Sequence, residues 1–337
     1  MAEITRRDFF KRTLASGVAA SIVLGGMSKA ADASTGVEPV GTLIDLTACD
    51  GCKGQEVPQC VMACRTESRE KFPVPAKEIP NYWPQKKKED WSDKKGLMTR
   101  LTPFNWTFVQ KTKVAHNGME YALNIPRRCM HCVNPPCAKI CPFSAQTQTK
   151  EGAVVINPDT CFGGAKCRDV CPWGIPARQA GVGLYMNIMP DYLGGGVMYK
   201  CDLCIDRIKA GNVPACVEAC PKGAIKFGTR KEMLEQAKVR AQEISGFIYG
   251  ENENGGTSTF YVSPVPFEKI DQSLKSLKSK QPNPDAPGYP TMPTKVSSFL
   301  DTANGLAVGV FVAPIASIFA AGYKAFKTMK GEQTYDD

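Results

Sequence analysis

Histidine is nearly missing from this 337-residue chain: only His116 and His131 occur, and C-x-x-C-H is nowhere present. The second absence excludes covalently attached c-type haem, and two histidines are a poor basis for ligating a b-type haem. There is no Walker loop, no dinucleotide fingerprint and no nucleophile–base signature. Phosphoryl transfer, nucleotide-borne hydride transfer and covalent hydrolysis therefore find no machinery here. Charge is absent from Gly305 to Tyr323, and cysteine is absent outside Cys49 to Cys220.

What is there is cysteine. Fifteen occur, in a chain whose 43% hydrophobic and 22% charged content is that of an ordinary globular protein of one or two domains. They form four groups. Group one, CDGCKGQEVPQCVMAC, holds Cys49, Cys52, Cys60 and Cys64; group two, CMHCVNPPCAKICP, holds Cys129, Cys132, Cys137 and Cys141. Group three, CFGGAKCRDVCP, holds only Cys161, Cys167 and Cys171; group four, CDLCIDRIKAGNVPACVEACP, holds Cys201, Cys204, Cys216 and Cys220. In every group three residues separate the last two cysteines, and in three groups proline follows the last. Disulfides do not account for an odd total or a recurring C-x3-C-P, and structural zinc favours C-x2-C at both ends of a ribbon. Iron–sulfur ligation follows this spacing: closely spaced thiolates wrap one cubane while a fourth, followed by proline, reaches the neighbouring cluster.

The two ends of the chain are specialised. TRRDFFK with the Arg6-Arg7 pair, an apolar run and Ala31-Asp32-Ala33 describe a twin-arginine export signal over residues 1–33, a route that carries folded proteins. The uncharged run 305–323 would span roughly 28 Å as a helix, about the thickness of a bilayer's hydrocarbon core. Lys324, Lys327 and Lys330 follow it, so a tail of residues 324–337 is expected in the cytoplasm and the bulk of the chain outside it. The net charge of +9 invites a nucleic-acid reading. Four oxidised clusters at roughly −2 each would bring the mature chain near neutrality, so no nucleic-acid partner is expected. Arg127, Arg128, Lys139, Lys166 and Arg168 beside the motifs then suit local neutralisation, or simply a solvated face.

Between the groups, WTFVQKTKVAHNGMEYALNIP is expected to form a hairpin about Asn117-Gly118, and AVVINP and AIKFG are expected as strands. TRKEMLEQAKVRAQE opens with capping-box spacing at Thr229 and Glu232 and is expected as a helix. KKKEDWSDKK is expected as a solvated loop and QPNPDAPGYPTMP as an extended linker. His131, inside group two, could tune a cluster by hydrogen bonding, although packing or solvent contact is the expectation. Trp173 is expected to pack against a cluster.

Groups two to four, with CPKGAIKFGTRKEM and GGTSTFYVSPVPFEKID, resemble the iron–sulfur subunits of membrane-bound respiratory oxidoreductases: formate dehydrogenase-N, nitrate reductase and dimethyl sulfoxide reductase. The nearest likeness is to the iron–sulfur subunit of periplasmic hydrogenases of the hydrogenase-2 type. The resemblance covers residues about 38 to 325. It implies an α+β fold of two pseudo-symmetric ferredoxin-like modules with insertions over 38–235, a C-terminal extension and linker over 236–299, and one transmembrane helix. Carried over residue by residue, it implies a [4Fe-4S] cluster on Cys49, Cys52, Cys60 and Cys220, a second on Cys201, Cys204, Cys216 and Cys64, and a third on Cys129, Cys132, Cys137 and Cys171. The fourth site has Cys161, Cys167 and Cys141, with Gly164 at the remaining ligand position and Arg65 replacing the proline after Cys64. Glycine offers iron no side chain, so a [3Fe-4S] cluster is expected there, with an open-iron [4Fe-4S] cluster as the alternative. The implied role is an electron relay at the periplasmic face of a bacterial inner membrane, joining a catalytic subunit, hydrogenase first, to an integral quinone-reactive subunit. A formate dehydrogenase, a molybdopterin reductase or a cytochrome-linked quinone oxidoreductase is the alternative partner. A self-standing redox enzyme and a zinc- or disulfide-stabilised interaction module remain as readings of other classes.

Overall fold

β1 (Val40–Asp45) is buried along nearly its whole length, which suits a strand inside a sheet with both faces covered. In chain order the computed structural model continues with α1 (Gln59–Glu67), β2 (Phe108–His116), β3 (Met119–Arg127), α2 (Pro136–Lys139), β4 (Gln146–Gln148) and β5 (Val154–Ile156). There follow α3 (Lys166–Asp169), β6 (Ala177–Gln179), β7 (Val197–Tyr199), α4 (Ile205–Lys209), α5 (Ala215–Glu218) and β8 (Ile225–Thr229). α6 (Arg230–Glu243), β9 (Phe247–Tyr249), β10 (Thr259–Ser263) and α7 (Phe267–Ser279) complete the regular elements. Residues 37–79, 89–184, 186 and 196–299 are described. The expected export signal with Arg6 and Arg7, the expected membrane span and the tail lie outside them. Among the described residues no helix is long and apolar enough to cross a membrane.

The central sheet has the order β8-β1-β10-β9. β1 runs antiparallel to β8 (Thr42 opposite Phe227) and parallel to β10 (Leu43 opposite Phe260). Period-two alternation sorts its two faces. Leu43, Phe260 and Val262 pack under α6 against Met233, Ala237 and Ala241. Ile44, Tyr249 and Tyr261 turn the other way, into the core that holds the cysteines. α6 starts where expected: Thr229 Oγ1 accepts from the Glu232 amide at 3.2 Å and the Glu232 carboxylate accepts from the Thr229 amide at 3.0 Å, a complete capping box.

The expected hairpin forms with His116 opposite Met119. Asn117 and Gly118 both sit at positive φ (49° and 76°), as a two-residue turn matched to strand twist requires. α7 lies across it, burying Phe267, Ile270, Asp271 and Leu274, spaced as one helical face. Much of the C-terminal region is integral to this core. β10 is buried at every residue in the sheet interior. The proline-rich run is held down by hydrogen bonds from the Leu101 amide to the Gly288 carbonyl (2.8 Å) and from Arg127 to the Thr291 carbonyl (2.8 Å), and Met292 is buried. It packs on the core and does not run as an extended linker.

Candidate metal centres

The four cysteine groups share one local construction. A loop containing left-handed backbone leads to a short helix: Gly51 and Cys52 in group one, His131 in group two, Gly163 and Ala165 in group three, Leu203 and Cys204 in group four all have positive φ. Such turns point successive amides inward, making a concavity for anions. Hydrogen bonds to sulfur follow, from Gln59 N to Cys52 Sγ, Met198 N to Cys161 Sγ and Leu203 N to Cys201 Sγ, each 3.4 Å. Prolines precede three of the helices (Pro58, Pro135 and Pro214), supplying extended entry and no amide that would need a partner. α1 packs against α5, and α2 against α3, so group one meets group four and group two meets group three.

The fifteen thiols are free and half-buried or buried. Burial raises most of them, and the thiols that raise one another further fall into sets. Cys49, raised to about 11, has Cys220 and Cys52 in electrostatic reach, and Cys60 has Cys49, Cys52 and Cys220. These four line one cavity. Cys64 is raised well above the ordinary thiol value by burial and by Cys201, Cys216 and Cys204. Cys132 is pushed far up by burial and by Cys129, Cys171 and Cys137, and Cys167 is raised by burial with Cys161 and Cys141 among its neighbours. Neighbouring sets touch in a fixed order: Cys60 lies near Cys216, Cys201 near Cys129, and Cys167 near Cys137. Among the described residues no three His, Cys, Asp or Glu side chains gather closely enough to hold a single metal ion.

Two buried cations mark what the site is built to hold. Arg128 is 1% exposed and donates to Cys216 Sγ (3.7 Å) and to Thr42 Oγ1. Lys200 is 5% exposed, donates to the Val154 and Cys201 carbonyls, and has Cys129, Cys137 and Cys201 in electrostatic reach. Burial alone would lower both pKa values, yet the surrounding sulfurs, with Asp202 beside Lys200, hold both above the ordinary range. Among the described residues neither forms a carboxylate ion pair, and an uncompensated buried charge is expensive. The groups that face both cations are chiefly cysteine sulfurs, with Asp202 also in reach of Lys200, which suits sulfur ligands carrying negative charge. The other basic residues divide: Arg168 forks onto Glu89 (2.7 Å twice), Lys166 pairs with Asp169 at the surface, Lys139 is exposed, and Arg127 bonds Thr291 and lies over the Tyr261 ring.

A 4Fe-4S dicluster domain family matches residues 48–145, and another 4Fe-4S dicluster domain family matches residues 121–230. The formate dehydrogenase-O iron–sulfur subunit of Escherichia coli K12 is 32% identical over 254 residues, covering 70% of this chain and 71% of that protein. The chain belongs to this iron–sulfur subunit family. The hydrogenase-2 operon protein HybA of Escherichia coli O157:H7 is 29% identical over 308 residues, covering 80% of this chain and 83% of the relative. A protein of Nitratidesulfovibrio vulgaris is 32% identical over 272 residues, covering 78% of this chain, and the chain spans 65% of that protein's length.

As an iron–sulfur subunit, the chain fits clusters at its thiol sets by donor chemistry: soft sulfur, inward amides and buried cations are all present. Several supporting residues carried no signal in the sequence. Asn254 donates to Cys132 Sγ at 3.2 Å and Gln146 to Cys137 Sγ at 2.9 Å. The segment before β10 grips the group-two loop, with Ser258 N donating to the His131 carbonyl (2.8 Å) and Thr259 Oγ1 to the Cys129 carbonyl. His131 departs from the packing-or-solvent expectation: it is fully buried and lies 3.6 Å from Cys201 Sγ. Trp173 is buried, and its indole N–H donates to the Tyr249 hydroxyl at 2.7 Å. The expected solvated loop is partly structural, because Glu89 also accepts from Arg178, which is 2% exposed and in turn donates to the Gly163 carbonyl.

Proposed function

We propose that the chain is an electron-transfer subunit carrying four iron–sulfur clusters between a catalytic subunit outside the cytoplasm and an integral quinone-reactive subunit. The observation that carries this reading is the order of the thiol sets, each beside the next, with no set isolated. The clusters would be held by Cys49, Cys52, Cys60 and Cys220; by Cys201, Cys204, Cys216 and Cys64; by Cys129, Cys132, Cys137 and Cys171; and by Cys161, Cys167 and Cys141. Each cluster supplies a one-electron couple. The protein binds it through thiolates, excludes water, and tunes it with amide, Arg128, Asn254 and Gln146 donors. Gly164 supports a three-iron centre in the last set, since it presents no side chain and lies exposed in the group-three loop. The Arg6-Arg7 signal and the 305–323 run support export in folded form and anchoring by one helix.

Hydrogenase and formate dehydrogenase are the catalytic partners to compare, since relatives of both names align over 83% of their length. Anaerobic purification from the native host, with iron and acid-labile sulfide analysis and EPR, tests the reading. Stoichiometric iron and sulfide, with clusters reduced by hydrogen or by formate in membranes, are expected. Zinc in place of iron, with no labile sulfide, would overturn it.

A further inference from the structure

The imidazole of His131 stands between two cysteine sets that belong to different modules. Its backbone lies in the Cys129–Cys132 loop, whereas its Nε2 points at Cys201 Sγ, 3.6 Å away, in group four. The tautomer follows from the other nitrogen. Nδ1 accepts the Val154 backbone N–H at 3.0 Å, so it carries no proton, and the ring proton resides on Nε2, facing sulfur. The ring is neutral and donates to Cys201.

Every degree of freedom of this residue is constrained. It is fully buried, and its carbonyl accepts from Ser258 N at 2.8 Å. Its φ of 47° puts it in the left-handed region, which is unfavourable for a non-glycine residue. β5, which supplies Val154, also supplies the carbonyl that holds Lys200, so the same strand fixes the histidine and the neighbouring cation. Arg128, beside Cys129, likewise reaches a group-four sulfur at Cys216, but from outside the Cys129–Cys132 loop.

We propose that His131 is the positioning residue of the electron step between the two modules. It donates a hydrogen bond from the loop of one centre to a ligand sulfur of the next, lowering the charge density on Cys201 and holding the two loops at fixed separation. This rests on the cluster assignment proposed above. One electron passes between the centres; the imidazole neither gains nor loses one, keeps its proton, and no bond forms or breaks. A hydrogen bond to an anionic sulfur favours the more negatively charged, reduced state. The centre on Cys201, Cys204, Cys216 and Cys64 is therefore easier to reduce than it would be without His131.

The chain offers a clean probe, because the other histidine, His116, contacts Lys269 and Phe247 instead. Full-length protein labelled with ¹⁵N-histidine, reduced stepwise and examined by pulsed EPR, should show a weak nitrogen coupling and an exchangeable-proton coupling on one four-iron centre. In His131→Phe both couplings should vanish. At fixed potential the reduced-to-oxidised ratio of that centre should fall about threefold to tenfold, equal to about 30–60 mV for a one-electron couple. In His131→Gln, which retains a donor, the ratio should largely recover. Absence of any histidine coupling in the loaded wild-type protein overturns the proposal even if neither variant folds. An unchanged ratio in a fully iron-loaded His131→Phe protein overturns it too. Failure of the wild-type chain to hold iron and sulfide would instead refute the cluster assignment itself.

Discussion

Replacing Arg128 by Met keeps an unbranched stem but removes the guanidinium, a buried positive charge beside one centre. The nearest guanidinium nitrogen is 3.7 Å from Cys216 Sγ, with Cys201 and Cys204 also in electrostatic reach. An electron added to the cluster is spread over a body centred beyond that sulfur. With an effective separation of about 6 Å and an effective dielectric of about 20, the lost attraction is about 3 kcal/mol, or about 120 mV for one electron. The midpoint potential of the Cys201, Cys204, Cys216 and Cys64 centre should therefore fall by roughly 100 mV, with the other centres moving much less. Potentiometric titration followed by EPR reads this directly, and iron and sulfide content shows that the variant is loaded. Arg127→Met is the matched control: that arginine is equally buried, but it bonds the Thr291 carbonyl and lies over Tyr261 instead of donating to sulfur. A fully loaded Arg128→Met protein whose potential moves by less than about 20 mV, or rises, would refute the electrostatic reading of this residue.

Gly164→Cys should convert the proposed three-iron centre to a four-iron one, because a Cβ built at Gly164 meets nothing within 4 Å; a three-iron EPR signal present in the wild-type protein should disappear in the variant. Glu89→Gln leaves Arg168 and the buried Arg178 short of their shared carboxylate, and chemical denaturation should show a loss of about 3 kcal/mol. The same variant should broaden the spectrum of the centre on Cys161, Cys167 and Cys141, since Arg178 also holds the Gly163 carbonyl. Thr229→Ala removes the acceptor for the Glu232 amide and should cost about 1 kcal/mol in the same denaturation assay, with the cluster spectra unchanged.

Local chemistry made much of this molecule legible before its structure. Asn117-Gly118 forms the hairpin turn because both residues tolerate positive φ, and Thr229 with Glu232 caps α6 because their spacing alone brings the partners together. The cysteine groups are local as well, each a loop and a helix start written in consecutive residues. What stayed hidden depends on long-range partners. Nothing in Thr259–Ser263 says that it pairs parallel with β1 more than two hundred residues earlier, though its fully apolar or hydroxylated run is what a sheet interior requires. Asn254 and Gln146 belong to no cysteine motif, and only the fold sets them against sulfur. For His131 the sequence offered hydrogen bonding to a cluster beside the favoured packing or solvent contact, and only the arrival of Val154 and Cys201 from other segments defines its proton and its partner.

The nesting of these elements also sets a timetable. The inner pair, α2 against α3, lies within one contiguous stretch, so a growing chain can close it soon after Cys171 is made. The outer pair cannot close until α5 and β8 have been synthesised to meet α1 and β1, and the sheet waits longer still for β10. At ordinary translation rates the interval between Cys171 and Ser263 is on the order of ten seconds. For roughly the first half of that time Cys49, Cys52, Cys60 and Cys64 still lack their group-four partners. The oldest thiols in the chain thus wait longest for their partners, and the first-written motif has its full ligand set only once Cys220 has been made.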